Sequence, residues 1–227
     1  MKIKIFTNIA PHYRAILWLY LLSHLKWDAS FYCGVNIKSG IKNIDFTHEK
    51  FSFYKNKLHK VKNFWIKNRI LIWQRGVLGQ CLGGKFDQAI FLGDMYCIST
   101  WIAAIICRMR GIQVTFWGHG VYGNEGIIKL LFRKQFYRLA HNHLLYERRA
   151  KKLMVKNGFA PDRLYVVFNS LDYDTHIKLR EELKNLKKND VFPFFTDPSL
   201  PIIIFVGRIT PVKKLEMLLQ AVTDINI

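Results

Sequence analysis

Short apolar runs alternate along this chain with longer stretches of helical period, and that alternation predicts strand, helix, strand. Lys2 to Asn8 reads as a buried strand opening into a loop at Pro11, followed by a helix from about Arg14 to Leu25. Gln88 to Gly93 is a second apolar strand, and Asp94 suits the cap of a helix that runs to about Arg110 and ends at Gly111. Ile112 to Trp117 is a further strand. A helical stretch then covers about Glu125 to Leu139, a strand His143 to Tyr146, a helix Arg148 to Lys156 stopped by Gly158, and a strand Leu164 to Phe168. Thr175 to Asp190 is charged and helical, and three prolines between Phe192 and Pro201 mark a linker. Ile202 to Val206 predicts one more strand, Gly207 to Val212 a loop, and Lys213 to about Asp224 a helix. Such β-α-β units build a parallel sheet covered by helices, with ligands beyond the carboxyl ends of the strands. Those ends are the loops after Asn8, Gly93 and Trp117.

Composition narrows the class. In 227 residues, 50% are hydrophobic, which supports a packed core and excludes a disordered tail. The net charge of +19 predicts an anionic partner: nucleic acid, an acidic membrane surface or a phosphorylated ligand. Cys33, Cys81, Cys97 and Cys107 follow neither CxxC nor zinc spacing and are too few for a disulfide scaffold, so reduced thiols in a cytoplasm are expected. The N-terminus lacks a signal-peptide core, and the longest apolar stretches fall short of the ~20 residues of a membrane span. Lys50 to Lys85 contains nine Lys or Arg and no acid, interleaved with aromatics, and Lys129 to Lys156 contains nine against Glu147 alone. Bases mixed with aromatics suit an anionic lipid surface, the plain alternative being a solvated basic face. No nucleic-acid-binding motif accompanies the charge, so no nucleic-acid partner is expected.

Candidate chemistry gathers in loops. Gly207-Arg208-Ile209-Thr210-Pro211-Val212-Lys213 follows an apolar strand and opens a helix, an arrangement in which Arg208 and Lys213 suit a diphosphate or are simply solvated. Tyr13 and Arg14 stand just past a strand end, where Arg14 is either a ligand contact or an ordinary first-turn residue. Glu125, six residues after His119, is either an acid or base near the cleft or, the favoured reading, a solvated carboxylate at a helix start. Asp172-Tyr173-Asp174 has the D-x-D form of some metal sites but no third acidic ligand, so no metal is expected.

The block Phe205-Val206-Gly207-Arg208 through Pro211 to Lys213 resembles the opening of the nucleotide-sugar-binding domain of glycosyltransferase family 4, retaining enzymes of the GT-B fold. Thr7 to Arg14, Trp117-Gly118-His119-Gly120, and Gly158 with Val166 to Asp172 resemble further motifs of that family in the same order. The resemblance implies a Rossmann-like parallel sheet with helices on both faces as an acceptor-type domain over residues 1–172. A charged helix and linker would follow at 173–200, and the first β-α unit of an incomplete second Rossmann-like domain at 201–227. It implies His119 as the catalytic histidine facing the donor sugar, or else a loop histidine bonded to backbone. Gly207, Arg208 and Lys213 would hold the donor diphosphate, while Tyr13, Arg14, Gly118, Gly120 and Asn169 would line the acceptor side or cleft. The implied activity is transfer of a sugar from a nucleoside diphosphate sugar, a co-substrate with no further cofactor, to a lipid-linked or polysaccharide acceptor on the cytoplasmic face of the membrane. The family's glutamate pair is absent, and a lone strand and helix cannot bury its own apolar face: it is either the first unit of an absent domain, the favoured reading, or an extra layer docked on the main sheet. The expectation is therefore a truncated glycosyltransferase with little activity alone. Two alternatives stay open: a noncatalytic acceptor- or membrane-binding remnant, and a basic nucleic-acid-binding α/β protein.

Overall fold

A computed structural model describes residues 1–24, 26–35, 41–66, 70–169, 172–195, 197, 199–207 and 209–225. Among the described residues nine strands form: β1 (Lys2–Thr7), β2 (Asp28–Gly34), β3 (Leu58–Val61), β4 (Asn63–Ile66), β5 (Leu71–Gln74), β6 (Gln88–Leu92), β7 (Gln113–Gly118), β8 (Asn142–Leu145) and β9 (Leu164–Val166). The helices are α1 (Ala15–Ser23), α2 (Val77–Leu82), α3 (Ile98–Met109), α4 (Ile127–Arg138), α5 (Arg148–Lys156), α6 (Tyr173–Leu183), α7 (Lys188–Val191) and α8 (Leu215–Ile225). Seven strands form one parallel sheet in the order β3-β2-β1-β6-β7-β8-β9, and β4 with β5 forms a separate antiparallel hairpin. The chain divides into two compact units, residues 1–177 and 178–227.

The sheet is apolar on both faces because both are covered, as parallel sheets require. On one face Phe6, Tyr32, Phe91, Val114, Phe116 and Leu145 pack with α2, α3, α4 and α5. Across the other, Ile3, Ile5, Ala29 and Phe31 pack with Trp18 and Leu22 of α1 and with Phe51. Phe6 stacks between Tyr32 and Phe91 at 4.9 Å on either side, so three neighbouring strands share one aromatic layer. The inner side of α3 carries Ser99, Thr100, Ala103, Ala104 and Cys107, small residues that let its backbone approach the sheet closely. Gly111 and Gly158 lie at φ +71° and +87° just beyond α3 and α5, where left-handed residues end helices.

Three expectations change. β2 and the β4–β5 hairpin were not legible as strands, and the basic aromatic run after Lys50 folds into β3, β4, β5 and α2. Residues 201–206 form no strand, and Val206 is 87% exposed. An apolar run without a neighbouring strand has no ladder to satisfy its N–H and C=O groups, so it stays irregular. The second, incomplete Rossmann-like domain expected at 201–227 is thereby corrected: residues 1–177 hold the one parallel sheet, and residues 178–227 contain helices without a sheet among the described residues.

His143 on β8 is a buried histidine (2% exposed) ringed by Phe116, Tyr137 and Phe159. Burial lowers its pKa to about 4. The unfolded chain takes up this proton near pH 6.5 and the folded chain only near 4, so stability falls as pH drops through that window. The expected loss reaches about 3 kcal/mol at 1.36 kcal/mol per unit. Urea unfolding of His143→Phe between pH 7 and 4 should show a correspondingly shallower decline, and identical slopes for both proteins would refute the assignment.

Candidate functional site

The strand order runs outward from the centre in two directions, β1 to β2 and β3 on one side and β6 to β9 on the other. Loops leaving such a point splay apart and open a crevice at the carboxyl ends. Here the crevice is a cavity of about 470 Å³ between the ends of β1, β6 and β7. Leu92, Gly93 and Asp94 extend from β6, Trp117, Gly118 and His119 from β7, and Thr7 and Ile9 from β1; Tyr13, Arg14, Trp18, Tyr146 and Asn169 close one side, Tyr96, Tyr122, Lys129 and Arg133 the other.

Arg14 is held from several sides. Its guanidinium donates to the Tyr146 hydroxyl at 3.1 Å and to the side-chain oxygen of Asn169. It also stands 5.1 Å from the Tyr146 ring centre and 5.6 Å from that of Trp117. Its Nε, and the indole N–H groups of Trp18 and Trp117, are buried without a partner among the described residues. Unsatisfied buried donors cost about 1–3 kcal/mol each, a cost that a ligand rich in acceptors offsets.

Asp94 was read as the cap of α3, but Cys97 holds that position. Instead its Oδ1 accepts the Tyr96 N–H at 3.0 Å and its Oδ2 the Asn8 side-chain amide at 3.4 Å. Burial pushes its pKa up, against the Tyr96 N–H and the charge of Arg133, which pull it down. A carboxyl moved toward neutrality beside fixed cations can give or take a proton, and sequence pattern carried no signal for it beyond its place at a strand end. The His119 ring is open to solvent on one side, yet desolvation lowers its pKa; Glu147 opposes this and the charge of Arg14 adds to it. His119 is therefore a neutral donor and acceptor, with its ring edge-on to Tyr146 at 4.8 Å.

Glu125 is not the solvated carboxylate expected at a helix start. Its side chain is 4% exposed, forms an ion pair with Arg133 (6% exposed), and accepts the Tyr122 N–H at 3.2 Å. The partner lies eight residues away on α4, and Arg133 also stacks 4.7 Å from the Tyr122 ring centre. Behind the cavity, the Tyr137 hydroxyl donates to the Gly93 carbonyl at 2.8 Å and steadies the end of β6.

Of the residues singled out by sequence, Tyr13, Arg14, Gly118, His119 and Asn169 share this cavity. Gly120 stands outside its lining: φ is +64°, and a methyl there would meet Met154 Sδ at 2.8 Å, so backbone and packing account for the glycine. Gly207 and Lys213 belong to the second unit, Lys213 in the short turn Pro211–Lys213, while Arg208 lies outside the described residues. In the D-x-D motif, Asp172 accepts from the Thr175 N–H and hydroxyl at 3.2 and 2.9 Å, and Asp174 accepts from Tyr20 at 3.2 Å. No group of three or more metal-ligating side chains occurs among the described residues.

No family model matches the chain, and no curated protein matches it. Solved structures do. UDP-GlcNAc 2-epimerase from Neisseria meningitidis, bound to UDP-GlcNAc, aligns with a TM-score of 0.53 at 17% identity, over 87% of this chain and 55% of that one. The Methanocaldococcus jannaschii UDP-GlcNAc 2-epimerase gives 0.51 at 13%, over 85% and 52%. The S. aureus MnaA–UDP structure gives 0.50 at 14%, over 85% and 50%. The chain spans about half the length of these proteins. Likeness at such identities establishes the fold, a Rossmann-like parallel sheet of the kind found in UDP-GlcNAc 2-epimerases. The expected place in glycosyltransferase family 4, with its GT-B label and hexosyl transfer to an acceptor, gives way to that fold.

Proposed function

We propose that the cleft takes a nucleoside diphosphate sugar and that Asp94 moves a proton on it, in an isomerase of the UDP-sugar 2-epimerase type. The observation that carries this reading is the position of the Asp94 carboxyl, held by the Tyr96 N–H and the Asn8 amide in the cavity at the switch point of the sheet, where burial favours its protonated form. Inverting C2 requires its proton to leave on one face while the C–H electron pair expels the diphosphate from C1, and a proton to return on the other face as the diphosphate oxygen adds back to C1; a buried carboxyl suits the proton transfer on one of these faces. Arg14 and Lys129 give the cleft positive charge suited to phosphate oxygens, and the neutral His119 suits a sugar hydroxyl. The nucleotide sugar is a substrate here, not a resident cofactor. The test is proton NMR of UDP-GlcNAc with the full chain in D2O, alongside calorimetry. Expected are saturable binding, loss of the C2 proton signal and appearance of the 2-epimer. Binding without exchange overturns the isomerase reading, and absence of both overturns the ligand as well.

We also propose contact with an anionic membrane surface through α4. Ile127, Ile128, Leu131 and Phe132 form one exposed apolar face of this helix, beside the exposed Lys129 and Arg138. No helix among the described residues is long and apolar enough to cross a membrane, so the contact would lie along the surface. Each cation near acidic headgroups contributes about 1 kcal/mol. Sedimentation with phosphatidylglycerol vesicles should exceed that with phosphatidylcholine, fall in high salt and weaken severalfold in Phe132→Asp. Equal binding to both vesicle types would count against the charge argument.

A further inference from the structure

The β4–β5 hairpin has no place in the seven-stranded sheet, yet Asn63 and Gln74 are 1% and 2% exposed. Gln74 Nε2 donates to the Thr7 carbonyl at 3.0 Å and to the Asn63 side-chain oxygen at 3.1 Å. Asn63 Nδ2 in turn donates to the Asn8 carbonyl at 2.8 Å. Thr7 is the last residue of β1 and Asn8 the first beyond it, where strand carbonyls run out of ladder partners. The hairpin supplies those partners and is itself anchored, because the Gln74 N–H donates to the Ser99 hydroxyl of α3 at 3.0 Å. The end of β2 passes alongside only because residue 34 is glycine: a methyl there would stand 2.3 Å from the Asn8 carbonyl oxygen and 2.4 Å from Asn63 Nδ2.

From this held turn the Asn8 amide reaches Asp94 Oδ2. We infer that the hairpin is a positioning brace: Asn63 and Gln74 fix the turn after β1 so that Asn8 meets the Asp94 carboxylate and sets its affinity for a proton. The other groups facing Asp94 are the Tyr96 N–H, Arg133 and Tyr137 of α4, Tyr122 in the loop before α4, and Cys97 at the head of α3. A donated hydrogen bond favours the charged carboxylate, so Asn8 offsets part of what burial does. The functional consequence rests on the reading of Asp94 as the proton-transferring group, whereas the brace is a property of the chain itself.

The test follows the Asp94 carboxyl by carbon-13 NMR titration of the full chain. Asn8→Ala should raise its pKa by about 0.4–1.1 units, the equivalent of one net hydrogen bond of about 0.5–1.5 kcal/mol. Gln74→Met, unbranched and apolar, should move the titration the same way by at least half as much, although it touches no atom of Asp94. Asn63→Ala is the second variant should Gln74→Met fail to fold. A folded hairpin variant whose Asp94 titrates at the wild-type position overturns the brace. In the unmodified chain, rapid solvent exchange of the Gln74 side-chain amide would overturn it as well. Should the titration move while no protein exchanges the C2 proton of UDP-GlcNAc, the brace stands and the isomerase reading falls. With wild-type exchange present, its pH profile must shift in the same sense as the titration.

Discussion

On the proposed isomerase reading, Asp94→Asn should lower the rate of solvent-deuterium exchange at C2 of UDP-GlcNAc by about 10²–10⁴-fold, the usual contribution of a positioned acid–base group. The substitution is nearly isosteric. Its side-chain oxygen can still accept the Tyr96 N–H that the aspartate accepts at 3.0 Å, so the turn between β6 and α3 keeps its shape. What is lost is the exchangeable proton at a carboxyl whose burial raises its pKa. Calorimetric affinity for UDP-GlcNAc should change little, which separates loss of chemistry from loss of the site. If Asp94 acts first as a base, the wild-type rate should rise with pH through the raised pKa, because the carboxylate is the working form. Exchange within threefold of wild type in Asp94→Asn would show that another group carries the proton.

Arg133→Met should destabilise the unit formed by residues 1–177 by about 3–5 kcal/mol, because it strands the Glu125 carboxylate in a buried position. For a unit of this size that corresponds to roughly 10 °C in melting temperature. The single substitution is costly for a specific reason: the pair leaves Glu125 almost no water, and apart from Arg133 its carboxylate accepts the Tyr122 N–H. Replacing both residues, as Arg133→Met with Glu125→Leu, should recover much of the loss, since two apolar side chains leave no buried charge behind. A double-mutant cycle by urea unfolding measures this directly. A single variant that loses under 1 kcal/mol would mean that Glu125 finds water or another cation in solution.

The sheet was legible in the sequence wherever a strand is a continuous apolar run followed by a helical period and a glycine stop. β6, α3, β7, α4, β8 and α5 all fall within a few residues of their expected limits. The carboxyl ends after Asn8, Gly93 and Trp117 were therefore identified, and with them Arg14 and His119. Asp94 escaped because an aspartate before a helix is more often a cap, and only the tertiary placement of Asn8, Arg133 and Tyr96 around it changes its meaning. Glu125 escaped for a related reason: eight residues of chain separate it from Arg133, and periodicity does not report the loop that folds one onto the other. The hairpin was hidden by its inverted pattern: the polar Asn63 and Gln74 turn in, while Phe64 and Ile66 are exposed. The 202–206 run misled in the opposite sense, since its composition suits a strand but no strand pairs with it among the described residues.

The central position of β1 has a consequence for how the protein is made. β1 finds its first neighbour, β2, soon after synthesis, but its other edge pairs with β6, and the Lys2 N–H closes on the Asp87 carboxylate 85 residues away. At about 5–20 residues per second the ribosome needs roughly 4–17 s to deliver that partner. Throughout this interval an apolar strand carries an open edge, the element that nascent chains most readily misuse in pairing with one another. The cleft, built from the ends of β1, β6 and β7, consequently cannot exist before β7 has been made. Slowed translation or lowered growth temperature should therefore govern how much of the protein reaches a competent form.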